Sequence, residues 1–394
     1  MSGTTSESAP QAFLSTAATA ELSRLAGAPG RSLPDVRILR DGAAAFPAMI
    51  GLIEGARRRV RFENFIFAGD ATGRLFAAAL SAAARRGVDV RVLYDPIGTL
   101  MVHGGSIAGV LRRDGVLARP FRPLSPLAPW SWLRLRHRDH RKTLAVDGDS
   151  AVVGGLCISD DWAATAAGGG NWRDTALLVQ GPMAGDVEAA FETMWELART
   201  ASTHAAVDAA TPAVPPLGIV VADLPGLGRV ANVYEWLANR ARHSLEITDA
   251  YLVAPRRVLE AFEAAARRGV AVRLLLPGRN NHPLAGAAAR RIYQPLLDAG
   301  ARIYEWGGTM VHAKTAVVDG EVTLVGSSNL DPLSMHRNYE LNLLVVDPVT
   351  GTGMREMFER DLTGARTVDP EEWQQRPLWQ RVAERAAGVF DSTL

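Results

Sequence analysis

The stretch HAKTAVVDGEVTLVGSSN, residues 312–329, has a counterpart earlier in the chain, HRKTLAVDGDSAVVGGLC, residues 140–157. In both copies a lysine, an aspartate and a glycine follow the histidine at the same spacings. Each copy is typical of two strands joined by a turn at Asp147-Gly148 or Asp319-Gly320. A histidine and a lysine two apart on a strand point to the same face. The repeat therefore predicts two similar units whose histidine and lysine side chains meet at one place.

The duplication continues upstream of these motifs. AAARRGV occurs at 82–88 and again, unchanged, at 264–270, where an alanine-rich helix ends in basic residues and a glycine. Apolar runs follow at 88–94 and 270–276 and are typical of strands. Helix and strand in alternation predict an α/β fold. We expect two homologous α/β repeats with largely parallel central sheets, packed around one shared active site.

The domain boundaries follow from composition. We expect a flexible N-terminal segment at 1–34, with a short helix near Ala18–Leu25, and a first repeat at 35–201. Residues 202–218, rich in alanine, threonine and proline, are the best linker. A second repeat at 219–365 and a C-terminal tail at 366–394 complete the chain.

Composition argues against several classes of function. The formal net charge is +1, so a nucleic-acid partner is not expected. Cys157 is the only cysteine, which excludes an internal disulfide and fits a reducing compartment. The histidines form no cluster with metal-ligand spacing, so we expect neither a metal nor another cofactor. No run approaches the ~20 apolar residues of a membrane-spanning helix, so membrane contact should be peripheral.

The two His-Lys pairs suit chemistry on a phosphodiester. One of His140 and His312 would attack phosphorus while the other protonates the leaving oxygen, which requires opposite protonation states. Lys142 and Lys314 would hold the negative phosphoryl oxygens. The residues alone do not assign the two histidine roles.

Four carboxylates complete the catalytic candidates. Asp174 and Glu340 occupy matching places downstream of the two motifs, and a carboxylate bonded to the far ring nitrogen fixes a histidine's tautomer. If the halves are arranged that way, each acid serves the histidine of the other half. Asp147 and Asp319 belong to the motifs, but their place at hairpin turns predicts a mainly structural role.

At these residues the chain resembles the phospholipase D superfamily, whose signature is H-x-K-x4-D-x6-G-S-x-N. The second copy matches in full. The first has Gly155 at the serine place, as in bacterial cardiolipin synthases, and Cys157 at the asparagine place, which removes one side-chain amide. The resemblance covers about residues 35–385 and is that of a short form without N-terminal membrane spans. It implies phosphate contacts at Gly155, Ser327 and Asn329.

The resemblance also implies a reaction. A histidine, by family analogy His140, attacks a phosphatidyl donor such as phosphatidylglycerol and gives a phosphatidyl-histidine. The other, His312, protonates the departing glycerol and then activates the hydroxyl of a second phospholipid, so that cardiolipin and glycerol result. Hydrolysis of phospholipids by the same groups, a nuclease or other phosphodiesterase, and a non-catalytic binding protein are the alternatives. The sequence gives no oligomeric state.

A candidate membrane contact lies just before the first motif, in PLSPLAPWSWLRLR at 123–136. Trp130, Trp132, Arg134 and Arg136 suit an anionic lipid surface. We therefore expect a cytoplasmic protein associated peripherally with the inner face of the membrane. The alternative is a loop packed over the active site.

Overall fold

The structure is a computed structural model, and it describes residues 15–100, 107–123, 137–167, 169–200, 215–377 and 380. The first half contains, in chain order, α1 (Thr16–Ala26), β1 (Arg31–Ser32), β2 (Val36–Arg40), α2 (Asp41–Gly55), β3 (Arg59–Asn64), α3 (Ala71–Arg85), β4 (Asp89–Tyr94), α4 (Pro96–Leu100), α5 (Ala108–Arg113), β5 (Leu117–Pro120), β6 (Lys142–Val146), β7 (Ser150–Gly154), a 3-10 turn (Thr165–Ala167), β8 (Thr175–Gln180) and α6 (Pro182–Thr200).

The second half repeats this plan. It contains β9 (Leu217–Asp223), α7 (Arg229–Arg240), β10 (Ser244–Thr248), α8 (Arg256–Arg267), β11 (Ala271–Pro277), α9 (Pro283–Arg291), α10 (Tyr293–Asp298), β12 (Arg302–Trp306), β13 (Thr315–Val318), β14 (Val322–Gly326), α11 (Pro332–His336), β15 (Glu340–Val346), α12 (Pro348–Leu362), β16 (Ala365–Thr367) and α13 (Pro370–Gln374).

The described strands form two sheets, in the orders β2-β8-β7-β6-β3-β4-β5 and β1-β9-β15-β14-β13-β10-β11-β12-β16. The expected α/β architecture of two repeats is confirmed, but the expectation of largely parallel sheets is wrong. Among these strands, parallel pairing is confined to β3-β4-β5 and β10-β11-β12. The motif strands are joined by tight turns, and strands joined in that way run antiparallel.

Alternation along the motif strands divides the core into layers. Leu144 and Val146 belong to an outer core covered by α2, α3 and α5, whereas Ala145 between them belongs to a separate inner core. In the second half, Ala316 and Val318 face the outer core and their neighbour Val317 the inner one. The inner core joins the two sheets, with α6 and α12 packed beside it. This contact brings the two motifs together.

Three expected boundaries differ from the structure. The segment 1–34 is structured where it is described: α1 packs on the second half's core and β1 pairs with β9. The tail that was expected from 366 begins with residues of β16, which pairs with β12, and continues into α13. Residues 202–214 of the expected linker lie outside the described residues, but the last two residues of the linker already belong to β9. These short elements are held by pairing with a sheet or by packing on a core formed by distant residues, and local composition does not reveal such contacts.

Candidate active site

Each histidine of the duplicated motif is held by the acid of the other half. Nδ1 of His140 lies 2.9 Å from Oε1 of Glu340, and Nδ1 of His312 lies 3.0 Å from Oδ2 of Asp174. Both carboxylates are fully buried. A carboxylate bonded to Nδ1 fixes the tautomer and leaves the Nε2 lone pair of a neutral ring available. Neither half contains a complete histidine–acid pair of this kind.

The backbone repeats this exchange between the halves. The N–H of His140 donates to the carbonyl of Tyr339 over 3.0 Å, and the N–H of His312 donates to the carbonyl of Arg173 over 2.7 Å. Each of these carbonyls belongs to the residue just before the acid that binds the same histidine. Short parallel bridges between the halves form at both places. Ring and main chain of each histidine are thus fixed by one dipeptide of the other repeat.

Both lysines are buried beside their own histidines. Nζ of Lys142 donates to the carbonyl of His140 over 2.5 Å. Nζ of Lys314 donates to the carbonyl of His312 and lies 2.8 Å from Nδ1 of that ring. Burial and the charge of Lys314 lower the pKa of His312, and the charges of Lys142 and His140 from the other motif lower it further. Together with the histidine–acid contacts between the halves, this places both motifs at one site. Two ammonium groups at one site suit the negative oxygens of a phosphodiester.

The ionisation of the two pairs differs. Burial acts to raise the pKa of Glu340, but His140, Lys142 and the Ser327 hydroxyl outweigh it, and the pKa is lowered. Burial raises the pKa of Asp174 to about 6, against the opposing charge of Lys314. Burial also lowers the pKa of both imidazoles, that of His312 well below its ordinary value. Near neutral pH the His140–Glu340 pair therefore combines a neutral ring with an ionised acid.

The residue at the serine place of the motif differs between the repeats, and this difference changes the contacts of both acids. Ser327 donates its hydroxyl to Oε2 of Glu340 over 2.5 Å. At Gly155 a Cβ would lie 2.3 Å from Oδ1 of Asp174, so that acid occupies the space of the missing side chain. Its Oδ2 instead accepts from the indole N–H of Trp162 over 2.8 Å, and its Oδ1 accepts from the backbone N–H of Thr175 over 2.8 Å. In both repeats the serine place thus adjoins the acid that holds a histidine.

The asparagine place of the motif is buried in both repeats. Asn329 and Cys157 occupy the same place in the two copies and are both buried. Oδ1 of Asn329 has no hydrogen-bond partner in the described part of the chain. Burial raises the pKa of the Cys157 thiol, although the charges of Lys142 and Lys314 oppose it. Cys157 therefore lies within electrostatic reach of both lysines as a neutral thiol.

Asp147 and Asp319 lie at the turn ends of the motif hairpins. Each adopts a positive φ, 56° and 53°. Their carboxylates accept hydrogen bonds from successive backbone N–H groups of the chain entering β3 or β10: those of Arg57, Arg58 and Arg59, and those of Arg242, His243 and Ser244. The structure does not bring these two carboxylates to the histidine–acid pairs, and their contacts hold one strand of the sheet to the next.

Sequence reasoning missed the support beneath Asp174. The Arg173 side chain is buried and forms ion pairs with Asp41, at 3.2 Å, and with Asp361 of α12, at 2.7 Å. The backbone N–H of Asp174 donates to Oδ1 of Asp41 over 2.9 Å. Arg173 is next to Asp174 and Trp162 stands 12 residues before it, but neither was given a role, because spacing along the sequence does not show which side chains meet.

The candidate membrane contacts Trp130, Trp132, Arg134 and Arg136 lie outside the described residues. In the part of the chain that the structure describes, no helix combines the length and apolar character needed to span a membrane. No group of three or more histidine, cysteine or acidic side chains within the same residues could hold a metal ion.

The sequence is similar to a family of known proteins. The profile of a family described as "Cardiolipin synthase, PLD-like domain" matches residues 49–195 and 236–362. The major cardiolipin synthase ClsA of Bacillus subtilis (strain 168) is 30% identical over 365 residues, which are 91% of this chain and 75% of the relative. A cardiolipin synthase of Geobacillus kaustophilus is 31% identical over 368 residues, covering 91% and 72%.

A solved structure has the same fold. The phosphatidylserine synthase of Haemophilus influenzae Rd KW20 superposes with a TM-score of 0.70, covering 96% of this chain and all of the other, at 16% sequence identity. At that identity the likeness concerns the fold, with its two repeats, and leaves the substrate to be argued from the site.

Proposed function

The chain belongs to the cardiolipin synthase family with phospholipase D-like domains, and we propose that it transfers a phosphatidyl group from one phospholipid to another, forming cardiolipin from phosphatidylglycerol. The observation that carries this proposal is the pair of histidines, each bound through Nδ1 to an acid of the other half. One site thereby contains two oriented imidazoles and two lysines, the groups that a metal-independent transfer at phosphorus needs.

The reaction proceeds in two steps. Nε2 of His140 attacks phosphorus, the bond from phosphorus to the glycerol oxygen breaks, and His312 gives its proton to that oxygen. In the second step His312 takes the hydroxyl proton of an acceptor phosphatidylglycerol. The acceptor oxygen bonds to phosphorus, the P–N bond breaks, and His140 is restored. Lys142 and Lys314 stabilise the charge on the phosphoryl oxygens in both steps.

The electrostatics of the two pairs support this division of roles. An ionised Glu340 bonded to Nδ1 of a neutral His140 leaves Nε2 as a nucleophile. His312 must gain a proton to act as an acid, and the negative charge of a bound phosphodiester favours the protonated imidazole. The family resemblance favours the same assignment.

The donor lipid lies in a membrane, so we also propose a peripheral contact with an anionic lipid surface on the cytoplasmic side. The segment before the first motif supplies it, with Trp130 and Trp132 at the interface and Arg134 and Arg136 near the headgroups. Basic side chains near an anionic surface contribute about 1 kcal/mol each. Loss of vesicle binding in Trp130→Ala/Trp132→Ala, with normal turnover of a soluble phosphodiester, is the expected result.

The activity is tested with phosphatidylglycerol vesicles and mass spectrometry of the products. The protein should form cardiolipin and glycerol, and His140→Ala and His312→Ala should each abolish both. His243→Ala changes an exposed histidine outside the site and serves as the matched control. Phosphatidic acid without cardiolipin would identify a hydrolase, and nucleic-acid cleavage without lipid products a nuclease.

The histidine roles are tested with a short-chain phosphatidyl ester of p-nitrophenol. Nitrophenolate leaves without being protonated, so His312→Ala should still release it in a single burst and carry a phosphatidyl adduct on His140. His140→Ala should give neither burst nor adduct. The opposite pattern, with the adduct on His312, would reverse the assignment.

A further inference from the structure

The two histidines have different surroundings on the sides that their acids do not occupy. The Phe65 ring packs against His140 at 4.9 Å between centroids, and Nζ of Lys142 lies 5.2 Å from the centre of the same phenyl ring. His312 instead contacts Trp172, at 5.8 Å, and Tyr251, at 6.3 Å. Both of these side chains are half-buried. The two sides of the phosphate site are therefore chemically unlike.

Tyr251 and Ile66 occupy equivalent places in the two repeats. The N–H of Ile66 donates to Oδ1 of Asn64, two residues earlier, and the N–H of Tyr251 donates to Oδ1 of Asp249, again two residues earlier. Both follow the strand that pairs with the motif hairpin. The same backbone position thus carries an aliphatic side chain in the first repeat and, in the second, a phenol that lies beside His312.

The phenol begins a chain of polar groups. Its hydroxyl donates to Oδ1 of Asn281 over 2.6 Å, and its ring lies 5.8 Å from that of His282. Asn281 and His282 are exposed on the loop after β11. The Tyr251 hydroxyl keeps acceptor capacity while it donates to the amide, and an amide carries two further donor hydrogens.

We propose that Tyr251, Asn281 and His282 form the subsite for the hydroxylated alcohol that leaves and enters at phosphorus. This inference rests on the proposed transfer reaction. The leaving oxygen gains its proton from His312 and the entering hydroxyl gives a proton to it, so both alcohols must lie against His312. The polar groups beside that ring can bond the further hydroxyls of a glycerol unit.

A subsite of this kind makes the second step selective for polyols. Polar groups built to bind a hydroxyl are left without a partner when the alcohol lacks it, which disfavours the poorer alcohol. Glycerol should therefore be preferred over 1-propanol, which has one hydroxyl on the same three-carbon chain. The Ile66 side chain offers no hydrogen bond, so the corresponding place in the first repeat contributes nothing to this choice.

The test uses the short-chain phosphatidyl ester of p-nitrophenol with glycerol and 1-propanol present at equal concentrations. Nitrophenolate release reports the first step, and mass spectrometry gives the ratio of phosphatidylglycerol to phosphatidylpropanol. We expect a ratio above one in the wild type. It should fall by about threefold to tenfold in Tyr251→Phe and in Asn281→Ala, the effect of one lost neutral hydrogen bond.

Ile66→Ala is the matched control, and its product ratio should equal that of the wild type. A wild-type ratio in both Tyr251→Phe and Asn281→Ala would overturn the subsite while leaving the transfer reaction standing. Should Tyr251→Phe fail to fold, Asn281→Ala decides alone, because its side chain is exposed. Absence of nitrophenolate release from the wild type would instead overturn the transfer reaction and the subsite with it.

Discussion

The indole N–H of Trp162 donates to Oδ2 of Asp174 over 2.8 Å, and the same oxygen lies 3.0 Å from Nδ1 of His312. In the other repeat the acid that binds the histidine is Glu340, and it accepts a hydrogen bond from the Ser327 hydroxyl. In the first repeat the acid is an aspartate and its side-chain donor is an indole, whereas in the second repeat the acid is a glutamate and its donor is the signature serine. Trp162 is a positioning residue that acts on His312 through Asp174.

Replacing Trp162 by phenylalanine removes this donor and keeps most of the ring volume. A hydrogen bond to a carboxylate contributes about 1.5–3 kcal/mol, so kcat should fall by roughly tenfold to a hundredfold. The pKa of Asp174 should rise, because a donor that favours its ionised form is lost. The acid limb of the pH–rate profile on a soluble phosphodiester should therefore move to higher pH. Trp195→Phe, in α6, is the control, and an unmoved acid limb in Trp162→Phe would contradict the role.

Restoring the signature serine at Gly155 should harm the enzyme. Any Cβ there would meet Oδ1 of Asp174 at 2.3 Å, and relief of this overlap displaces the acid from His312. Gly155→Ser should lose most of its kcat while its thermal midpoint changes little by comparison. Gly51→Ser is the matched control, because a Cβ on Gly51 in α2 meets no atom within 4 Å. Full activity in Gly155→Ser would show that Asp174 has room to adjust.

The pH dependence should be bell-shaped. Asp174 has its pKa raised to about 6 by burial, and Lys314 has its pKa lowered to about 8 by burial. Transfer requires an ionised Asp174 and a protonated Lys314, while the bound phosphodiester keeps His312 protonated, so kcat should rise as pH increases through about 6 and fall above about 8. Rates on a soluble phosphodiester avoid effects of pH on vesicles. A profile that stays flat between pH 5 and 9 would be incompatible with these two groups.

Cys157 should behave as a small buried side chain. Burial raises the pKa of its thiol, which keeps it protonated and unreactive near neutral pH. A thiol-alkylating reagent should leave the rate unchanged, and Cys157→Ala should cost about 1 kcal/mol of unfolding free energy with most activity kept. Cys157→Asn restores the amide of the family signature. This variant should be active, because the amide N–H can donate a hydrogen bond to the phosphate. Inhibition of the wild type but not of Cys157→Ala would reveal a reactive thiol.

Removing Arg173 should destabilise the whole molecule. Its guanidinium pairs with Asp41 and with Asp361 across the two halves, and all three groups are largely buried. Truncation would leave buried carboxylates without their cation, a loss of about 3–5 kcal/mol. Urea unfolding of Arg173→Ala measures it, and Arg256→Ala is the control because that arginine is 90% exposed. A loss of less than about 1 kcal/mol would mean that the carboxylates are stabilised by other groups.

The sequence was most informative where local pattern decides the structure. The two strands predicted on either side of the Asp147-Gly148 turn are β6 and β7, because the apolar runs and the Asp-Gly turn both act within a few residues. Whether Asp174 served its own or the other histidine could not be decided in the same way, since the answer depends on how the halves pack. The bond from Trp162 was beyond reach for the same reason: the chain between it and Asp174 must first fold back on itself.

The crossed arrangement of histidines and acids also bears on how such a site can change over evolutionary time. If two identical halves associated as separate chains, any substitution near one imidazole would appear near the other as well. Joined in one polypeptide, the halves are free to diverge singly. Glu340 with Ser327 on one side, and Asp174 with Gly155 and Trp162 on the other, differ in this way. The two imidazoles therefore have different partners, as the separate roles proposed for them require.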